Sequence, residues 1–153
     1  MRWMTDTKLD LIIATARRRA DWASRGLLDY VQLMMSTYEV APHHAAIAAA
    51  LERVEAHVRG LPHECIGEKC VRLMIFAPPQ CGKTQLVSKF FPAWVLGRDK
   101  DARFILTSYA QLLADQASAS VRDQLQDSRY PYPVRPYVGP AAAWIVKGGT
   151  GGV

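Results

Sequence analysis

The stretch RLMIFAPPQCGKTQLVSKF, residues 72–90, runs from apolar residues through two prolines into Gly-Lys-Thr and then into a helical pattern. The short apolar run, bounded by breakers, predicts a buried strand at residues 71–76. The apolar spacing after the loop predicts a helix over residues 83–96, bent by Pro92 and ended by Gly97. This order constrains the fold to a sheet with a loop at a strand's carboxyl end.

A second unit of the same kind follows in the chain. RFILTS, residues 103–108, predicts another buried strand, and the spacing of Leu113, Ala117, Val121 and Leu125 predicts a helix after it. Apolar strands that alternate with helices are typical of a parallel sheet covered on both faces. The sequence therefore predicts an α/β fold with a parallel sheet flanked by helices.

Gly82, Lys83 and Thr84 stand where the loop meets the helix. A helix N-terminus presents unpaired backbone N–H groups and a partial positive charge, which suit a phosphate. Lys83 is expected to place its ammonium on the β- and γ-phosphates, and the Thr84 hydroxyl to ligate Mg²⁺. Lys83 and Thr84 are therefore the predicted catalytic residues, and Thr84 is the predicted metal ligand. Cofactor contacts are expected from Gln80, Cys81, Gly82, Lys83, Thr84 and Gln85.

The loop departs from the usual form G-x-x-x-x-G-K-[ST], because Ala77 stands where the first glycine belongs. Pro78 and Pro79 are a physical substitute, since both fix φ and leave the chain extended without a positive φ. The prolines have no N–H, so the donors for a phosphate are expected from residues 80–85.

The first 60 residues have a different pattern. Apolar residues at helical spacing predict an N-terminal amphipathic helix, GLLDYVQLMMSTY predicts a short buried helix, and a third helix is expected to begin at Pro42 and end at Gly60. We therefore expect two parts: an N-terminal helical segment, residues 1–60, and a part that contains the loop and the predicted strands, residues 61–153, on which the helices pack.

Composition limits the class of protein. A chain of 153 residues, half of them hydrophobic, is long enough for one core. No uncharged apolar run reaches the roughly 20 residues of a membrane span, and the start MRWMTDTKLD has charges where a signal peptide is apolar. Three cysteines predict reduced thiols. These features predict a cytoplasmic protein without a membrane partner.

The net charge of +5 is carried by the second half of the chain. Residues 70–153 contain ten Lys or Arg against five Asp or Glu, whereas residues 1–69 contain nine of each sign. Such a balance suits a polyanion, either nucleotide phosphates or a nucleic-acid backbone, and simple solubility is the alternative.

Other candidate residues have structural alternatives. His43 and His44 precede the third helix, where capping or packing is commoner than contact with a base. Ser108 and Tyr109 end the second strand at a ligand-binding edge, although a helix cap at Ser108 accounts for them almost as well. A zinc site is disfavoured because its candidate ligands lack the usual Cys-x2-Cys spacing. These candidates are His63, Cys65, Cys70 and Cys81.

Several motifs together resemble the ATPase domain of the large terminase subunit of tailed bacteriophages. The similarity runs from PHHAAIAAALERV through RLMIFAPPQCGKTQLVSKFFPAWVLGR and RFILTSYAQLLADQASASVR to Trp144 and Gly148-Gly149. Many terminases have the Pro-Pro pair before the loop and Phe-Pro-Ala-Trp after it, which few other P-loop families share. The chain is therefore identified as similar to the N-terminal part of a terminase ATPase. The resemblance implies that residues 61–153 are the N-terminal portion of a P-loop ATPase domain, with an incomplete P-loop NTPase-type parallel sheet, and that the helical segment, residues 1–60, packs on this ATPase core.

The resemblance implies an activity and partners. It implies binding of ATP and Mg²⁺ through Lys83 and Thr84, and an ATP-driven motor that moves double-stranded DNA into the procapsid. The family works as a homo-oligomeric ring with a portal and a small terminase subunit. Terminases similar to this chain often have an arginine within the loop. This loop has none, which leaves Arg98, Arg103 and Arg122 as alternatives.

The sequence lacks the acidic pair that hydrolysis in this class needs. No glutamate follows Glu68, and the run QLLAD before Asp115 falls in a helical pattern. We therefore expect a truncated or partial terminase, with an apolar strand ending in Asp-Asp or Asp-Glu soon after Val153 in any longer version. A self-standing P-loop module that binds nucleotide without turnover is the alternative. A small phosphotransferase is disfavoured because nothing supplies a base or a lid.

Overall fold

The computed structural model describes residues 3–62, 72–137 and 143–153, with side chains from Asp10 onward. Within these ranges none of the helices has both the length and the apolar character needed to cross a membrane. The helices are α1 (Trp3–Arg25), α2 (Leu27–Met34), α3 (Pro42–Val58), α4 (Phe91–Arg98) and α5 (Gln111–Gln126), with a π-helical segment at Gln85–Phe90 directly before α4.

The ends of α3 follow from its sequence. Pro42 lies in the first turn, where its missing N–H removes no helical hydrogen bond. After Val58 the chain reaches Gly60, whose φ of 65° lies in the left-handed region that ends a helix. The predicted start and stop of this helix are therefore confirmed.

The helix after the Gly-Lys-Thr sequence contains the π-helical segment because of Pro92. A proline has no N–H, and its ring would clash with the carbonyl group four residues earlier, that of Ser88. The wider turn, closed by a bond from Phe91 N–H to Leu86 O, relieves this clash. The helix continues to Arg98 and does not end at Gly97 as predicted. Gly97 serves close packing instead, because a Cβ there would overlap the Tyr132 ring.

The core lies where α2, α3, α5 and residues 83–98 meet. Trp94 is 1% exposed, and its indole Nε1 donates to Ala23 O at 3.0 Å. Burial raises the pKa of Tyr132 to about 12, so its hydroxyl stays protonated and donates to Ala23 O at 3.2 Å. The other large buried side chains include Leu27, Tyr30, Leu86, Leu96, Val121, Leu125 and Val146. One apolar cluster thus joins side chains from both predicted parts of the chain.

The predicted parallel sheet is wrong. The described residues contain no β-strand, and their β-type pairing is limited to three isolated bridges. Residues 72–76 are irregular and take part in no bridge, and Val71 lies outside the described residues. In residues 103–108 only Arg103 takes part in a bridge. These bridges are Arg103 with Gly152 in parallel, and Pro136 with Val146 and Ile145 with Gly152 in antiparallel orientation.

The sheet is absent from the described residues because the buried helix faces pack on each other. Leu86 and Phe90 belong to the same apolar cluster as α2 and α3, and no strand among the described residues covers them. None of residues 72–76 and 103–108 is buried; each is either exposed or half-buried. Phe76 and Ile105 are 87% and 91% exposed, whereas a strand of a helix-covered parallel sheet is buried on both faces.

Two tyrosines near the core give a matched test of this packing. Tyr30 is fully buried, and its hydroxyl donates to Gln124 Oε1 at 3.0 Å. Tyr30→Phe is expected to lower the free energy of unfolding by about 1 kcal/mol, because the hydrogen bond is lost and the Gln124 oxygen stays behind. Urea unfolding followed by tryptophan fluorescence measures the change.

Tyr38→Phe is the control. The Tyr38 hydroxyl is buried and has no hydrogen-bond partner within the described part of the chain. Its removal is therefore expected to leave stability unchanged or slightly raised. Equal losses of unfolding free energy in Tyr30→Phe and Tyr38→Phe would contradict the hydrogen bond between Tyr30 and Gln124 in the core.

Candidate phosphate-binding site

Residues 78–85, here called the GKT loop, surround a cavity of about 370 Å³ at the start of the helix at 83–98. All six residues predicted to contact a cofactor lie in its lining, together with the two prolines. The lining consists of Pro78, Pro79, Gln80, Cys81, Gly82, Lys83, Thr84 and Gln85. The structure thus brings the predicted site residues together, and their binding of a phosphate stays a prediction.

Two residues of the GKT loop have a left-handed backbone. Gln80 has a φ of 62° and Gly82 a φ of 75°. Left-handed residues within a turn direct neighbouring N–H groups to one side, and such concavities bind anions. Gly82 is needed for a second reason, because a Cβ there would lie 2.8 Å from His44 Nε2. The glycine therefore allows both the turn and its close contact with α3.

The helix that follows the loop leaves several N–H groups without helical partners. Its first bond runs from Leu86 N to Gly82 O at 3.0 Å. The N–H groups of Lys83, Thr84 and Gln85 precede this bond and have no acceptor within the helix. Together with the helix dipole, they form the positive end at which an anion is stabilised.

The donor chemistry of the loop fits a polyphosphate with Mg²⁺. Backbone N–H groups and the Lys83 ammonium supply positive charge and donors, and the half-buried Lys83 lies beside the exposed Thr84. Mg²⁺ prefers few protein ligands and several phosphate or water oxygens, so the Thr84 hydroxyl is a sufficient protein contact. The described residues contain no group of three or more side chains that could hold a metal ion by themselves.

The loop is attached to α3 by two histidines. Cys81 O lies 2.8 Å from His44 Nε2 and 3.1 Å from His43 Nε2. His44 also caps α3, since its Nδ1 accepts a bond from Ala41 N at 3.1 Å. The expected capping by a histidine is confirmed, whereas the contact with the loop, 37 residues away, has no local signal in the sequence.

No acidic residue lines the cavity of the GKT loop in the described part of the chain. Several aspartates are already engaged elsewhere. Asp115 accepts from Gln111 Nε2 at 2.8 Å, and the side chain of Arg129, which donates to Asp127, lowers the pKa of that carboxyl. Asp123 and Asp127 line a neighbouring groove of about 460 Å³ that shares only Gln85 with the loop. The loop thus has phosphate donors but lacks a carboxylate.

The three arginines considered for the transferring phosphate also lie outside this lining. The Arg98 guanidinium lies 4.3 Å from the centre of the Trp94 ring, and its Nε is 3.4 Å from Glu55 Oε1. Arg103 bridges to Gly152 through its backbone, and Arg122 Nε lies 3.9 Å from Asp123 Oδ1. Arg98 in particular has a structural role, because it neutralises a carboxylate whose side chain is 4% exposed.

The other candidates do not form a site. Tyr109 is 94% exposed, and no sheet edge lies beside Ser108 among the described residues. The helix cap expected at Ser108 is wrong, since α5 is capped by Ala110 without a side-chain bond. Of the zinc candidates, His63, Cys65 and Cys70 lie outside the described residues.

Comparison of the chain with protein-family models, with characterised proteins and with solved structures finds no match. The resemblance to terminases therefore depends on the motifs in the sequence, and the chemistry of the loop depends on its geometry.

Proposed function

We propose that the GKT loop binds the polyphosphate of ATP, and that the chain is the ATP-binding portion of a phage terminase large subunit. This subunit is an ATP-driven motor that moves double-stranded DNA into the procapsid. It works in the cytoplasm of the host cell, in a homo-oligomeric ring with the portal and the small terminase subunit.

The observation that carries the proposal is the cavity of the GKT loop. Its lining joins backbone donors, the Lys83 ammonium and the Thr84 hydroxyl at the positive end of a helix. In this site Lys83 would neutralise charge on the β- and γ-phosphates, and the Thr84 hydroxyl would hold Mg²⁺, which would supply further positive charge for the phosphates. The terminase assignment is supported by the Pro-Pro pair before the loop and by Phe-Pro-Ala-Trp after it.

A second candidate function is a module that binds nucleotide without hydrolysing it. It is favoured by the absence of a carboxylate from the described lining of the cavity. Water attack on the γ-phosphate needs a group that orients the water, and Lys83 and Thr84 do not supply it. Both candidate functions use the same phosphate site, but only the terminase subunit also binds and moves DNA.

Calorimetry with Mg-ATP, Mg-ADP and adenosine tests the shared part. ATP and ADP are expected to bind and adenosine is not, because the contacts are made to phosphates. Equal binding of adenosine and ATP would overturn the proposal.

Fluorescence anisotropy of a short DNA duplex then separates the two candidate functions. A motor component should bind the duplex with an affinity that changes with bound nucleotide, and a simple nucleotide module should show no such coupling.

Thr84→Ala tests the assignment of the metal ligand. Loss of the hydroxyl is expected to reduce the factor by which Mg²⁺ strengthens ATP binding, while metal-free ATP should bind as it does to the parent protein. Titrations with and without Mg²⁺ measure this factor. Thr84→Ser keeps the hydroxyl and is expected to retain the full effect. An unchanged Mg²⁺ effect in Thr84→Ala would assign the metal to other ligands.

A further inference from the structure

His44 lies directly beneath the GKT loop and is buried, with 8% of its surface exposed. Its two ring nitrogens contact different parts of the chain. Nδ1 is 3.1 Å from the backbone N of Ala41, which can only donate, and Nε2 is 2.8 Å from Cys81 O, which can only accept. These partners fix the neutral tautomer of His44 with its hydrogen on Nε2.

The surroundings of His44 also favour the neutral ring. A second proton on Nδ1 would face the Ala41 N–H and would add a positive charge at the positive end of α3. The groups around the ring are Tyr38, whose ring centre is 5.1 Å away, His43 at 4.0 Å, and Cys81. No carboxylate among the described residues is seen to pair with His44.

The bond to Cys81 acts at the centre of the loop. Cys81 lies between Gln80 and Gly82, the two residues with left-handed backbones. With its carbonyl fixed on the α3 side by His44 and His43, the peptide between Cys81 and Gly82 has one orientation, and its N–H points away from α3. The Cys81 thiol donates to Pro78 O at 2.9 Å and closes the same turn.

We propose that His44 is a positioning residue of the GKT loop: its neutral ring, bonded to Ala41 N–H and Cys81 C=O, holds the loop in the conformation that binds polyphosphate. This inference rests on the function proposed above. It adds that α3, which is distant from the loop in sequence, controls the affinity of the loop for phosphate through the bond from His44 to Cys81 O.

Three substitutions separate the two bonds of His44. His44→Gln keeps a donor for Cys81 O, His44→Asn keeps an acceptor for Ala41 N–H, and His44→Phe keeps only the ring. Mg-ATP affinity is expected to be near that of the parent in His44→Gln. It should be about 3- to 10-fold weaker in His44→Asn and His44→Phe, the effect of one lost hydrogen bond. Tyr38→Phe removes a hydroxyl from the same cluster and is expected to bind as the parent does.

The pattern of rescue supplies a measurement that simple destabilisation would not reproduce. His44→Gln, which keeps the donor for Cys81 O, should bind Mg-ATP more tightly than His44→Asn, which keeps only the acceptor for Ala41 N–H. Thermal midpoints of all variants show whether they are folded.

Each outcome of these titrations decides a different question. Parent-like binding by folded His44→Phe would overturn the role of His44 while leaving the phosphate site intact. The role of His44 would also be overturned if the Mg-ATP affinities of the variants simply decreased with their thermal midpoints and His44→Gln bound no more tightly than His44→Asn. Failure of the parent itself to bind Mg-ATP would refute the proposed function, and the inference with it.

Discussion

Lys83→Ala is expected to weaken Mg-ATP binding by about 10- to 100-fold, the effect of removing a charge-assisted hydrogen bond. Lys83 is the cationic side chain in the lining of the GKT loop, where it adds a full charge to the partial charge of the helix end. The backbone donors remain in the variant, so binding should persist at lower affinity. Isothermal titration calorimetry measures the ratio of dissociation constants.

Lys89→Ala is the matched control, because it removes the same charge from the same helix outside the lining of the cavity. It is expected to change the affinity by less than about 2-fold, since Lys89 does not line the cavity and the half-buried side chain is still partly screened by salt. Equal ATP affinity in the parent and in Lys83→Ala would contradict the assignment of the loop. Equal losses of Mg-ATP affinity in Lys83→Ala and Lys89→Ala would mean that Lys83 contributes only a general electrostatic attraction.

The sequence located the loop and most helices because their signals are local. Pro42 and Gly60 bracket α3, and the Gly-Lys-Thr sequence begins the helix at residue 83. Each of these signals acts through the φ or the N–H of one residue, whatever surrounds it. A local rule also accounts for the π-helical segment before Pro92, while the bend predicted at this proline stays a prediction.

The predicted sheet failed because strand pairing is not local. VRLMIF and RFILTS have the apolar character of buried strands, but such a run forms a sheet only where neighbouring strands accept its backbone bonds. In the structure Phe104 N donates to Gly152 O at 2.9 Å, which is the start of a ladder that does not continue along residues 105–108. Apolar composition alone did not distinguish an irregular segment that is exposed or half-buried from a strand that is buried on both faces.

The contacts that hold the GKT loop in place are also non-local, so they could not be predicted from the sequence. In a sheet-based site, the preceding strand holds the loop. In this structure residues 72–76 carry no bridge, and the loop is tied to α3 through His43 and His44. The two histidines give a capping signal in the sequence, but their distant partner, Cys81, appears only when the chain is folded.

Turnover makes a stricter demand on the structure than binding does. Binding needs donors that match the charge of the phosphates, and the GKT loop has them. Hydrolysis also needs a carboxylate that orients the attacking water, and loss of such a group typically lowers the rate by about 10²- to 10⁴-fold. Two of the glutamates before the loop already have partners within the fold. Glu55 pairs with Arg59 and Glu52 accepts from Leu27 N–H, while Glu64 and Glu68 lie outside the described residues.

The 153-residue chain is therefore expected to bind Mg-ATP without releasing phosphate above the background of the buffer. A continuous phosphate-release assay at saturating Mg-ATP measures the rate, with Lys83→Ala as the control for contaminating ATPases. A steady rate that is equal in the parent and in Lys83→Ala comes from a contaminant and agrees with this expectation. Steady release by the parent that Lys83→Ala abolishes would contradict it, because a residue outside the described lining of the loop must then orient the attacking water.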